Sequence, residues 1–286
     1  SGSASPVGHT PPTLGPVART NLQLRLLTAA VGLPLIGIVS WLGEWPFAAV
    51  LALVGVLASA EFVHGWLIPS RPIPEVLGLG PTFVIPAVAV AGSHVDPAFL
   101  WLSAGFGVLF AILGYLPTGA FGPRKPFRVY CWLALYLGLL LPALVLVRDA
   151  ENGREWFFLG LLATFAVDTG AYAVGRAVGR HRMAPRISPK KTWEGAAGGY
   201  VAGVAALFAL NALFDTGVGA GTIWPLAVAV PPAAMIGDLF ESWMKRRMGV
   251  KDASGLLPGH GGFLDRLDSV VAVFPLLYLF LQLRVL

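Results

Sequence analysis

The sequence predicts an all-α polytopic integral membrane protein, with about nine transmembrane helices and a cytosol-facing polar site near the membrane interface. Three observations predict it. The first is composition: of 286 residues, 56% are hydrophobic and only 12% charged, and mean hydropathy is +0.73. A soluble domain carries about 25% charged residues. The second is the recurrence of apolar runs of bilayer length along nearly the whole chain. The third is a lopsided placement of Lys and Arg between those runs.

The apolar segments fall at roughly 23–41, 46–66, 76–92, 98–116, 129–147, 156–175, 195–214, 222–240 and 266–284. Several contain Gly or Pro, which membrane helices tolerate when neighbours resatisfy the backbone. Residues 1–21 are rich in Pro, Gly, Ser and Thr and read as a disordered cytosolic tail. No stretch reads as a cleavable signal peptide. The single cysteine, Cys131, lies inside an apolar run, so no intrachain disulfide and no cysteine metal cluster is expected.

With the N-terminus cytosolic, Arg19, Arg25, Arg71, Arg124, Lys125, Arg128 and every Lys and Arg from Arg176 to Arg266 fall on one side. Only Arg148, Arg154 and Arg284 fall on the other, 3 of the 20 basic residues. This is a strong positive-inside bias. It sends both loops rich in polar chemistry, 176–194 and 241–265, to the cytosol. No internal repeat with paired broken helices is visible, which argues against an inverted-repeat transporter. Residues 22–155 read as membrane scaffold and lipid-facing surface. In that half only Glu61 and His64 stand out; near the end of a span, they read as snorkelling or helix-end groups.

The acidic residues at membrane depth need more explanation. Asp168 lies well inside the sixth segment, where a carboxylate needs a partner, a cavity or an ion. Asp238, Glu241, Ser242 and Lys245 share one helix face by their i, i+3, i+4, i+7 spacing. That face is acidic, then basic, which suits a metal beside a phosphate; a helix-end ion-pair ladder is the plainer reading. Asp265 and Asp268 are i, i+3 at the start of the ninth segment, while Arg266 points elsewhere. The loop before them contains Gly259, His260, Gly261 and Gly262. Its glycines allow close backbone approach, and amides at a helix N-terminus can bind phosphate. His260 reads as a phosphate contact or a bystander.

The loop 176–195 holds six Lys and Arg before a helix rich in Gly and Ala. Anionic lipid headgroups would suit it. The order Ser188, Pro189, Lys190, Lys191, Thr192 suggests instead a shaped anion site, with Ser188 and Thr192 adding hydroxyls. It is not a P-loop, since Gly-x-x-x-x-Gly-Lys-Ser/Thr occurs nowhere. Without an aromatic stacking platform beside it, nucleic acid is not an expected partner. Carboxylates at the lipid–water boundary can hold Mg²⁺ or a similar hard cation, and the basic residues around them can clamp a polyphosphate. The depth suits a lipid with a phosphate head.

The stretch SWMKRRMGVKDASGLLPGHGGFLDRLDS, residues 242–269, resembles the signature of the phosphatidate cytidylyltransferase (CDP-diacylglycerol synthase) family. The matching residues are Ser242, Lys245, Arg246, Lys251, Asp252, His260, Gly261, Gly262, Asp265, Arg266 and Asp268. DTGAY at 168–172 and SPKKTWEG at 188–195 also resemble family motifs. The resemblance covers about 160–270, within a C-terminal catalytic region assigned to 156–286. It implies the reaction of CTP with phosphatidate, giving CDP-diacylglycerol and pyrophosphate, in phospholipid biosynthesis at the plasma or inner membrane. It further implies Mg²⁺ on Asp238 and Asp265, a second, monovalent cation such as K⁺, and a homodimer among the membrane lipids. Asp168, Glu241 and Asp268 are then supporting ligands. Lys190, Lys191, Lys245, Arg246, Lys251 and Arg266 are candidates for phosphate contacts, with Lys245 and Arg266 nearest the chemistry. Two other readings stay open: a CTP-dependent lipid-alcohol kinase, which would release CDP, and a membrane transporter using the acids as an ion path.

Overall fold

The protein is seen in a computed structural model that describes residues 16–67, 80–99, 129, 132–257, 259 and 261–285. It is mostly helical. The helices are α1 (Pro16–Leu42), α2 (Glu44–Leu67), α3 (Gly80–Val95), α4 (Ala143–Arg148), α5 (Gly153–Val178), α6 (Trp193–Leu213), α7 (Trp224–Met248) and α8 (Leu264–Val285). Among the described residues, α2, α5 and α6 are long and apolar enough to cross a membrane. α1, α7 and α8 have comparable lengths of 27, 25 and 22 residues. Large apolar side chains point away from the bundle on several helices, including Ile38, Leu53, Val201, Ile236 and Leu283. An outward apolar face is what lipid, rather than water, would cover.

Most expected segments coincide with helices, but three expectations change. The chain is not wholly helical: β1 (Arg182–Ala184) and β2 (Ser188–Thr192) form an antiparallel hairpin in the basic loop. Two prolines and a run of like charges disfavour continuing the helix there, and Pro189 is tolerable because a two-stranded sheet is all edge. The segment 129–147 is broken where it is described. A π-helical stretch, Ala134–Leu139, passes through a turn at Pro142 into the short α4; proline has no N–H to continue the ladder. α1 starts at Pro16, inside the stretch assigned to the tail. Cys131, His260 and nearly all of 98–116 lie outside the described residues.

Glycine sets how closely the helices approach. α5 and α6 pack along a seam of small residues, where a Cβ on Gly170 would collide with Ala202 Cβ and one on Gly199 would meet Val167 O at 2.8 Å. α7 and α8 meet at Gly237, where a Cβ would lie 2.5 Å from Asp268 O. That contact brings Asp238, the next residue, beside the first turns of α8.

The bundle has two chemically distinct ends. At one, Arg148 donates to Ser40 O at 2.6 Å, Arg154 lies over the Trp41 ring and Arg284 donates to Gly217 O at 3.3 Å. These are the three arginines assigned to the minority side. At the other end, the C-termini of α2, α5 and α7 meet the N-termini of α6 and α8, together with the hairpin and the loop 249–263.

Candidate active site

The site is built at this second end. α7 stops at Gly249, which adopts φ +81°, and Val250 N donates back to Lys245 O at 3.0 Å. This left-handed cap turns the chain into the loop that returns as α8. Across that turn, Lys245 reaches two acids. Its Nζ lies 2.6 Å from Glu241 Oε2 and 2.6 Å from Asp265 Oδ1. Glu241 is fully buried, and neither of its oxygens has hydrogen-bonding geometry to a described partner, so the Lys245 contact there is charge proximity. Asp265, also buried, accepts from Ala253 N at 2.9 Å and Gly262 N at 2.8 Å through Oδ2.

The hairpin crosses α7 from the other side. Arg246 donates to Ile187 O at 3.1 Å and Val250 O at 3.0 Å, which pins the hairpin tip to the end of α7. Lys191 Nζ then sits 2.5 Å from Asp238 Oδ2. Ser242 donates a long bond, 3.5 Å, to Asp238 Oδ1. Glu194 accepts from the amides of Arg180 and His181, closing the base of the hairpin.

Asp168, Asp238 and Asp268, from α5, α7 and α8, act on one another electrostatically, and Arg266 acts on Asp168 and Asp268. Arg266 acts on these two acids through its charge without forming an ion pair with either. The cluster thus sets five carboxylates (Asp168, Asp238, Glu241, Asp265 and Asp268) against Lys191, Lys245 and Arg266. Among the described residues, Lys190, Lys251 and Arg266 make no ion pair, and all three are exposed.

Two other assignments change. Thr192 does not offer its hydroxyl to a ligand. It is buried as the N-cap of α6, where Oγ1 accepts from Gly195 N at 3.1 Å. Thr192→Ala is expected to cost about 1 kcal/mol. A lowered unfolding midpoint with unchanged substrate KM would check this. Nor is the start of α8 an open anion seat. The amides of Gly262, Phe263 and Leu264 already donate to carboxylates, the first to Asp265 and the other two to Glu61. Gly261 O accepts from Leu257 N at 2.8 Å. Ser188 opens β2, half-buried.

Glu61 stands out in the sequence, but its role is not the one read there. It does not snorkel but is fully buried, and its partners lie 193 to 203 residues further along the chain. The available signal was an acid inside an apolar helix, which demands a partner.

A metal fits the donor chemistry. The acids are hard oxygen ligands, and an anion nearing five carboxylates and three cations needs further positive charge. No three His, Cys, Asp or Glu among the described residues close around a single ion. Mg²⁺ does not require that, since it typically takes one or two carboxylates and completes its shell with water and substrate phosphates.

The fold and site therefore define a helical membrane protein with a densely charged site at one end of the bundle. Comparison with known proteins gives the particular family. Residues 23–284 match the Cytidylyltransferase family. The chain is 33% identical over 279 residues to the phosphatidate cytidylyltransferase of Mycobacterium bovis, covering 90% of this chain and 88% of that protein. It is 34% identical over 266 residues to that of Brucella suis, covering 91% and 93%. With that of Staphylococcus saprophyticus the identity is 29% over 261 residues, covering 91% and 99%. The chain belongs to the cytidylyltransferase family. Cytidylyl transfer is nucleotidyl transfer, so the protein is a nucleotidyltransferase enzyme.

Proposed function

We propose that this protein is a phosphatidate cytidylyltransferase, converting CTP and phosphatidate to CDP-diacylglycerol and pyrophosphate. The observation that carries the reading is the convergence of the ordered signature with the hairpin: Lys191 on Asp238, and Lys245 between Glu241 and Asp265, at one end of the bundle. The gathering of these acids at a single end also weighs against an ion path through the membrane.

A phosphate monoester is largely dianionic near neutral pH, with its second pKa at about 6. No strong general base is needed. A phosphatidate oxygen attacks the α-phosphorus of CTP, the bond between that phosphorus and the bridging oxygen to the β-phosphate breaks, and pyrophosphate leaves. The main obstacle is repulsion between two anions, which positioned cations relieve. Among the described residues, Lys190, Lys251 and Arg266 are the site's cations free to meet phosphate. Lys191 and Lys245 hold acids in place and can share their remaining N–H groups with substrate. Asp238, flanked by Asp168 and Asp268, would hold Mg²⁺. Asp265, the other ligand suggested by resemblance, has both oxygens engaged by Lys245 and backbone amides and would support the site through Lys245. When bound there, the metal would supply charge neutralisation for the departing pyrophosphate.

The remaining topology belongs to the same proposal: nine spans in the plasma or inner membrane, with the N-terminus and the site cytosolic. The positive-inside count supports that orientation. K⁺ and a homodimer rest on the family resemblance. Pyrophosphate release by purified protein in detergent, with CTP, phosphatidate and Mg²⁺ each omitted in turn, tests the reaction. Release that needs all three is expected; CDP in place of pyrophosphate, released when diacylglycerol is supplied instead of phosphatidate, would make the protein a lipid-alcohol kinase.

A further inference from the structure

Glu61 belongs to α2, in the half of the chain that carries no signature residue. Its carboxylate is fully buried, and its side-chain hydrogen bonds go to the signature loop. Oε1 accepts from Ser254 Oγ at 2.5 Å and Phe263 N at 3.0 Å, and Oε2 accepts from Leu264 N at 2.8 Å. The fit is close. A Cβ on Gly262 would lie 2.5 Å from both Glu61 oxygens, and one on Gly65, a turn further along α2, would lie 2.6 Å from Met248 Sδ on α7.

The three consecutive amides that open α8 are thus divided between two acids. Asp265 holds Gly262 N, while Glu61 holds Phe263 N and Leu264 N. A carboxylate at a helix start is favoured by the helix dipole as well as by these bonds. Asp265, the residue after Leu264 in the same first turn, is positioned by the same clamp, and Asp265 in turn holds Lys245 at 2.6 Å. The chain of contacts runs from α2 through the loop to the charged centre, with no substrate contact needed at Glu61.

We propose that Glu61 is a positioning residue for cytidylyl transfer: from α2 it fixes the start of α8, so that Asp265 keeps Lys245 in its working place. This inference rests on the functional reading above. It assigns the N-terminal half a direct part in setting the geometry of the reaction, beyond serving as membrane scaffold.

The test uses the full-length protein in detergent, comparing wild type with Glu61→Gln, Glu61→Asp and Ser254→Ala. Glutamine keeps one acceptor but turns an NH₂ toward backbone N–H groups. Its kcat is expected to fall roughly 10- to 100-fold, the range for groups that orient a catalytic site. KM for CTP and phosphatidate should stay within about threefold, because a positioning group does not touch substrate. Amide hydrogen exchange at Phe263 and Leu264 should quicken. Aspartate, one methylene shorter but with both acceptors, should recover several-fold over glutamine, and Ser254→Ala should lose less than glutamine. Wild-type kcat in Glu61→Gln would overturn the inference. So would a loss matched by the fraction of protein unfolded, which makes Glu61 purely structural, or a loss carried wholly by KM, which makes it a substrate contact. Wild-type protein without transfer would overturn the functional reading and this inference with it; active wild type beside an unaffected variant overturns this inference alone.

Discussion

Lys245→Ala is expected to abolish transfer and to be the most destabilising single change at the site. Lys245 is the cation shared by Glu241, at 2.6 Å, and Asp265, at 2.6 Å, both of them buried. Removing one partner of a buried ion pair costs about 3–5 kcal/mol, because the charge left behind has neither water nor a counterion. Two acids would be stranded here. The unfolding midpoint should fall by on the order of 10 °C, taking about 2–4 °C per kcal/mol for a chain of this size. Adding Glu241→Gln removes one stranded charge and should restore part of the midpoint, while transfer stays absent. Full activity in the single variant would show that Lys245 is only a structural counterion.

Asp238→Asn should separate activity from stability. The Lys191–Asp238 pair is partly exposed, with the two side chains 24% and 29% accessible. A pair in such a setting contributes about 0–1 kcal/mol, so the unfolding midpoint should barely move. Turnover should fall at least about 100-fold, since loss of one preorganised electrostatic group typically costs that much. The Mg²⁺ concentration giving half-maximal turnover should rise if any activity remains. Thermal unfolding and a Mg²⁺ titration on the same preparation check both halves. Normal turnover in this variant would remove the acidic cluster from the reaction.

These two variants concern residues whose shared helix face was readable from the chain itself. The helix-face spacing of Asp238, Glu241 and Lys245 is local, so periodicity alone placed them together. Most of the described helices were legible for a similar reason: bilayer-length apolar runs leave little choice of structure. What was not legible depends on contacts distant in sequence or on competition between local options. Glu61 reads as a helix-end acid until α8 supplies its partners some 200 residues later. Asp238 and Glu241 share a face, yet one turns to the hairpin and the other into the core, and only the packing of α7 against α8 decides which. Thr192 fits a hydroxyl ligand or a helix cap equally well by composition; the start of α6 one residue later decides for the cap. The glycine-rich loop invited a phosphate, but acids on α2 and α8 already occupy the amides of Gly262, Phe263 and Leu264.

The central claim is that this charged end of the bundle joins the α-phosphate of CTP to a lipid phosphate. The most direct test is to supply CTP labelled at the α-phosphorus, and separately at the γ-phosphorus, to the protein with phosphatidate and Mg²⁺, and to extract the lipid. The α-label is expected in the lipid fraction as CDP-diacylglycerol, and the γ-label only in pyrophosphate. Label in lipid from the γ-position, or none from the α-position, would contradict the claim.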